Sequence, residues 1–181
     1  MASKIKALFS RPKGQALAEF SLALPILMLV VVGLLEAGRA VFMYSSVVNA
    51  SREAARYATA YGVDENDILH VQNCAEIRNT ARRVGFLLPL ADEDIEITYD
   101  GGFDEFGNLQ ALTGSPECAH DETVDTSIEL SCGDRVVVTV SADYDPIIPL
   151  LIPLQNQTFS STSARTFLGV VELSDDADPC E

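Results

Sequence analysis

The sequence predicts an α+β protein in which a long N-terminal helix, first apolar and then amphipathic, packs on a small antiparallel sheet with one further helix. Three observations carry this expectation. An almost unbroken apolar run extends from Gln15 to Leu35. Small and apolar residues then recur at three- and four-residue steps: Ala40, Tyr44, Val47/Val48, Ser51, Ala54/Ala55, Ala58 and Tyr61. Beyond them, Asp94–Tyr99 alternates like a half-buried strand, and Arg135–Ala142 is β-branched and long enough to be central. A length of 181 residues leaves room for one domain after the N-terminal segment.

Residues 1–14 form a basic leader, with Lys4, Lys6, Arg11 and Lys13 and no acidic group. Residues 15–36 read as a transmembrane helix: the apolar run spans ~31 Å as helix, about one hydrocarbon thickness. Lys13 stands before it, and Glu36 and Arg39 after it. Basic residues confined to the leader put the N-terminus in the cytoplasm and everything past Arg39 outside, on a single-pass protein of the cytoplasmic membrane. Membrane lipid is therefore the first expected partner. A cleaved secretory signal competes, with Gly38-Arg39-Ala40 as a small-x-small cut site. Against it, the apolar region exceeds the usual core of about 7–15 residues, Glu19 interrupts its approach, and the helical pattern runs on through Ala40.

Glu19 is the odd residue. A carboxylate on the threshold of an apolar run is costly unless it meets water, a partner charge or a processing enzyme. Pro25, inside the run, removes one helical hydrogen bond, and Gly33 and Gly38 either permit close approach of another helix or are ordinary variation. Glu36 and Arg39, three apart, either pair at the outer interface or mark the membrane boundary.

Residues 37–62 read as the helix continuing outside the membrane, with Ser45, Asn49, Arg52, Glu53 and Arg56 on its polar side and Gly62 as its stop. An unbroken helix over 15–61 would be about 70 Å long. Its small-residue stripe suits close packing on the chain's own domain, the favoured option, or on neighbouring subunits. Residues 63–171 form the extracytoplasmic α+β domain. Asp64 is expected to cap a second helix over 65–86, with Ile68, Leu69, Val71, Ala75, Ile77, Ala81 and Val84 on its apolar side and Arg82-Arg83 in its last turn. Gly101-Gly102 and Gly107-Asn108 mark turns. Residues 110–131 read as a polar loop or hairpin holding Cys118. Prolines at 146, 149 and 153 forbid a regular helix or inner strand, leaving an apolar loop that dips onto the membrane or a partner, or a buried connection. Thr158–Val170 returns as a last strand beside 135–142, and residues 172–181 form an acidic tail.

The formal charge of −15 is unevenly placed: beyond the leader, 8 Lys/Arg face 27 Asp/Glu. So acidic a body repels nucleic acid and anionic membrane surfaces. Cys74, Cys118, Cys132 and Cys180 all follow the apolar run, and none has Cys-x-x-Cys spacing. Two disulfides are expected, with Cys118–Cys132 closing a local loop and Cys74–Cys180 fastening the tail. Cys118-Ala-His120 with Cys132 has poor ligand spacing for a metal site. Asp100–Asn108 lacks the alternating carboxylates of a calcium loop, with Gly102 at the third position and Glu105 where glycine belongs. No Gly-x-Ser-x-Gly, phosphate-binding loop or His-Glu-x-x-His occurs, so no enzyme, cofactor or metal is expected.

Together, Gly14-Gln15-Ala-Leu-Ala-Glu19-Phe20, Pro25, Glu36-Ala-Gly38-Arg39 and Asn49-Ala-Ser-Arg52-Glu53-Ala-Ala-Arg56-Tyr-Ala58 resemble the TadE-like family, minor pilins or pseudopilins of the tight-adherence (Tad/Flp) pilus system. The close likeness covers residues 11–61; residues 86–132 depart from any shared pattern. The resemblance implies that a membrane prepilin peptidase cuts after Gly14, leaving Gln15 as the new N-terminus with Glu19 and Phe20 completing the junction. It further implies that Glu19 meets the freed amino group of a neighbouring subunit, and that Pro25, Glu36 and Arg39 belong to the assembling helix. Other Tad pilins and the inner-membrane assembly platform would be the partners. The alternative from another class is an unprocessed, membrane-tethered binding or sensory domain.

Overall fold

A computed structural model of the chain describes residues 12–60, 62–85, 88–104, 106–112, 117–120, 122–147 and 157–168. Most of the basic leader, Tyr61, Glu105, the apolar loop past Ile147, Cys180 and the acidic tail lie outside the described residues.

Helix α1 runs from Pro12 to Ala58 without a break and continues through Pro25. At 1.5 Å per residue it is about 70 Å long. After it come a 3₁₀ turn at His70–Gln72, helix α2 at Cys74–Val84, and strands β1 (Ile95–Phe103), β2 (Leu109–Ala111), β3 (Arg135–Tyr144) and β4 (Gln157–Thr166). The strands form one antiparallel sheet in the order β2-β1-β3-β4. Both helices cover one face, with α1 lying against β3, β4 and α2. This is the α+β arrangement expected from the sequence.

The upper part of α1 enters the core through small side chains. Val47, Ala50, Ser51, Ala54, Ala55 and Ala58 are buried, while Ser45, Asn49, Arg52 and Arg56 face solvent. Residues this small let the helix backbone lie close to the sheet. Ala40 is half-buried and Tyr44 exposed, so the buried stripe begins later than the periodicity suggested. Opposite it stand Val71, Cys74, Ile77 and Ala81 from the α2 region and Val136, Val138, Val140 and Ala142 from β3, where burial alternates with the pleat. Ser51 Oγ lies 3.1 Å from both the Val48 carbonyl oxygen and Ser161 Oγ of β4, which satisfies a buried hydroxyl at the helix–sheet seam.

Three local expectations are corrected. The second helix starts at Cys74 rather than 65, because Asp64 serves a loop. Its Oδ1 accepts the amides of Asn66 and Ile68, and its Oδ2 accepts Asn73 Nδ2. Such local side-chain bonds offer the backbone an alternative to helix, and Asn73 becomes the cap, accepting from Glu76 N. Gly101-Gly102 is no turn: both glycines lie within β1, where pairing with β2 shifts between Asp100 and Phe103. Gly102 holds φ +77°, the left-handed conformation a bulge favours in glycine.

The third correction concerns the disulfides. Cys74 pairs with Cys118, with Cα atoms 5.7 Å apart, instead of the expected Cys118–Cys132 and Cys74–Cys180 bridges. Cys132 is disulfide-bonded too. The local bridge fails because Cys118 is pinned beside β1, through its amide to the Ile97 carbonyl and the Thr98–Glu117 bridge, directly opposite the start of α2.

Candidate functional site

The N-terminal junction lies on the exposed part of α1. Gly14 is exposed, Phe20 is 62% exposed, and Gln15 Nε2 donates to Glu19 Oε1 at 3.1 Å, one helical turn away. From Leu17 to Leu35 the large apolar side chains stay outside the fold, with Leu34 74% and Leu35 69% exposed. The helix is long and apolar enough there to cross a membrane. Among the described residues, nothing beyond the helix's own backbone would meet a Cβ at Gly33 or Gly38 within 4 Å.

One residue past Leu35 the environment inverts. Glu36 is only 2% exposed. A buried carboxylate needs donors, and it has three among the described residues. Tyr144 Oη donates to Oε2 at 2.6 Å, the Ile147 amide donates to Oε1 at 2.9 Å, and Arg39 Nη1 lies 3.3 Å from Oε2. Arg39 also donates through Nη2 to the Asp145 carbonyl, and its guanidinium sits 5.0 Å above the Tyr144 ring. Tyr144 and Tyr44 each pack on Phe159, at 5.7 and 6.2 Å between ring centroids. These contacts make an aromatic collar that ties the end of β3 and the start of β4 to α1 just above the apolar run. Of the two readings of Glu36 and Arg39, a pair or a boundary marker, the pair is present, and its engagement with Tyr144 and Ile147 lies beyond either. Spacing reveals neighbours one helical turn apart but cannot reveal partners more than a hundred residues away.

Other polar residues support the fold. At the far end of β3, Arg135 Nε and Nη2 reach the two oxygens of Asp100 at 2.7 and 3.0 Å, and Gly102 N donates to Oδ1. Burial opposes ionisation of Asp100, but the Arg135 hydrogen bonds, the Gly102 amide and the Arg135 charge outweigh it and hold the carboxyl below its usual range. Asp104 turns back on its own loop, accepting from the Phe106 and Asn108 amides. Asp100 and Asp104, the two aspartates of the Asp100–Asn108 segment, thus have internal partners. Arg78, which the sequence reading passed over, is buried on α2 and donates to the carbonyls of Cys118, Ala119 and Glu122 at 2.6–2.8 Å. It holds the 118–122 loop in place. His70 stacks on Tyr57 with centroids 4.7 Å apart, and His120 Nδ1 lies 3.1 Å from the Asp92 carbonyl. The disulfide removes the Cys118 thiol from any metal site.

Residues 14–56 match the TadE-like protein family. The TadE-like segment starts at Gly14, includes the whole apolar run and the Glu36/Arg39 pair, and ends in the part of α1 buried against the sheet. Its match agrees with the resemblance carried by the junction and helix motifs, and with the exposed apolar helix it fits a Tad-pilus minor pilin at the level of the family. No curated protein and no solved structure matches the chain.

Proposed function

We propose that the protein is a non-enzymatic minor pilin or pseudopilin, a single-pass protein of the inner membrane that takes part in assembling a Tad/Flp-type pilus for adhesion or secretion. The observation that carries this reading is the TadE-like match beginning at Gly14, at the foot of a helix whose apolar side chains are exposed through Leu35. In this reading the leader faces the cytoplasm and a prepilin peptidase cuts between Gly14 and Gln15. Glycine at the scissile bond suits a narrow cleft, because it presents no side chain. Cutting frees the Gln15 amino group, and Glu19 then meets the corresponding amine of a neighbouring pilin, which offsets the cost of bringing a carboxylate into the membrane. Pro25, Glu36 and Arg39 shape and hold the assembling helix. The outer domain faces away from the cytoplasm, where its cysteines can oxidise.

N-terminal sequencing of the protein extracted from membranes of cells with an active prepilin peptidase tests the reading. The expected chain begins at Gln15. An intact leader would instead favour an unprocessed, membrane-tethered binding or sensory domain. In the same cells Glu19→Ala should still be cut but should no longer co-purify with other pilins; unchanged co-purification would reduce Glu19 to an interfacial carboxylate.

A further inference from the structure

The collar fixes more than the angle between helix and sheet. Strand β3 runs back along α1 toward the apolar run: Arg135 pairs with Asp100 and Thr166 at one end, whereas Tyr144 at the other end touches Glu36. Ten residues of strand separate the ends by roughly 30 Å. Gln157 pairs with Tyr144, so both flanks of the connection between β3 and β4 stand at the level where the apolar run stops. Ile147 begins that connection. Its amide is fixed 2.9 Å from Glu36 Oε1, yet its side chain is 75% exposed. No charged residue occurs between Asp145 and Arg165. Leu35, next to Glu36, is exposed as well, so exposed apolar side chains stand on both sides of the Glu36 anchor, with the exposed Asp145 and the half-exposed Arg39 beside them. Just above, Tyr44 is exposed at the height aromatic side chains favour at a membrane–water boundary, and it packs on the half-buried Phe159, which in turn meets the buried Tyr144.

We propose that Ile147 is a second lipid contact, held at the bilayer surface by the hydrogen bonds from its amide and from Tyr144 to Glu36. The domain then rests on the membrane at a fixed height and tilt instead of swinging on α1. This inference rests on the reading of residues 15–35 as a membrane span. The partner is the acyl–headgroup boundary of the bilayer: the site offers apolar and aromatic side chains, while the strongly acidic body disfavours recognition of anionic headgroups.

The chain contains no tryptophan, so a single introduced one reports its own surroundings. The full chain would be reconstituted in phosphatidylcholine vesicles as Ile147→Trp, Leu27→Trp or Phe106→Trp, and emission compared with and without bromine-labelled acyl chains. Leu27 lies in the apolar run, and Phe106, 87% exposed, lies beyond the Arg135 end of the sheet. Leu27→Trp and Ile147→Trp should both emit to the blue and lose most of their intensity to brominated lipid, while Phe106→Trp should be unaffected. Adding Glu36→Ala to Ile147→Trp should restore the emission to that of the Phe106 reporter. Quenching of Leu27→Trp without Ile147→Trp would overturn the lipid contact and leave the span standing. No quenching of Leu27→Trp would remove the span and the contact together. Quenching of Ile147→Trp that survives Glu36→Ala in a folded domain would overturn the role given to Glu36.

Discussion

From Gly14 to Leu35 the large apolar residues of α1 remain mostly exposed; from Val47 to Ala58 the side chains that are buried are mainly small. The helix is continuous, so backbone propensity does not separate the halves. What differs is the surface each half is made to meet. Bulky side chains on all sides of a helix suit lipid or other helices. Alanines and a serine along one side bring a helix backbone close to a sheet. Glu36 sits at the change, and its three donors make it the point where the upper half is fastened.

The difference predicts that damage to the domain should leave the lower half intact. The largest effect is expected from breaking the Cys74–Cys118 bridge, which joins the start of α2 to the loop beside β1 across a sequence separation of 44. Chain-entropy arguments put the loss at roughly 4 kcal/mol. Chemical unfolding of Cys74→Ser/Cys118→Ser in detergent micelles should show that loss in the near-ultraviolet signal of the domain. The helical signal of the micelle-bound lower half should persist, and its simultaneous loss would mean that the halves fold as one unit.

Next comes the junction itself. Glu36→Ala removes the carboxylate that accepts from the Ile147 amide, leaves the Tyr144 hydroxyl only the longer contact to the Glu36 carbonyl, and should lower the unfolding midpoint of the domain. Glu19→Ala, on the exposed half, should leave the same unfolding midpoint unchanged. Equal costs would erase the distinction drawn between the two glutamates.

A smaller effect is expected from crowding. Ala54 is fully buried, and Ala54→Leu forces extra methylenes between α1 and the sheet, at about 2 kcal/mol. Val30→Leu adds volume on the exposed half, where Val30 is 59% exposed, and should not change domain stability in the same denaturation measurement.

The halves of α1 also differ from the rest of the chain in how readily they could be read. The apolar run, the junction and the small-residue stripe are local patterns, and periodicity in a helix maps directly onto faces. The strands expected at 94–99 and 135–142 through β-branching and alternation are present, extended to Phe103 and Tyr144. The start of α2, the bulge at Gly101-Gly102 and the Cys74–Cys118 pairing were not legible. Each depends on a choice made elsewhere: Asp64 bonding to a loop, β2 pairing out of register, and Cys118 being carried to β1. The same limit hid the acceptors of Arg78 and two of the three donors to Glu36. Sequence spacing found the members of the site that lie on one helix and missed those delivered by the sheet.

The smallest effect concerns acid, and it again separates the domain from the lower half. Asp100 is held below its usual range because the Arg135 hydrogen bonds, the Gly102 amide and the Arg135 charge outweigh burial. Asp64 is held low chiefly by the Ile68 amide, against some desolvation, with Asn66 and Asn73 adding to it. A carboxyl whose folded pKa lies below the unfolded value of about 3.9 contributes stability that is complete above that value. The contribution is lost as pH falls through the folded pKa. The domain's thermal midpoint should therefore hold steady from neutrality down to the ordinary aspartate range and decline below it. Asp100→Asn should lower the neutral plateau and flatten part of the decline, since its side chain no longer exchanges a proton. The exposed half of α1 contains neither aspartate, so its helicity in micelles should change little over the same titration. A decline already under way near neutrality would place the acid-sensitive group outside these two aspartates, because neither is shifted upward.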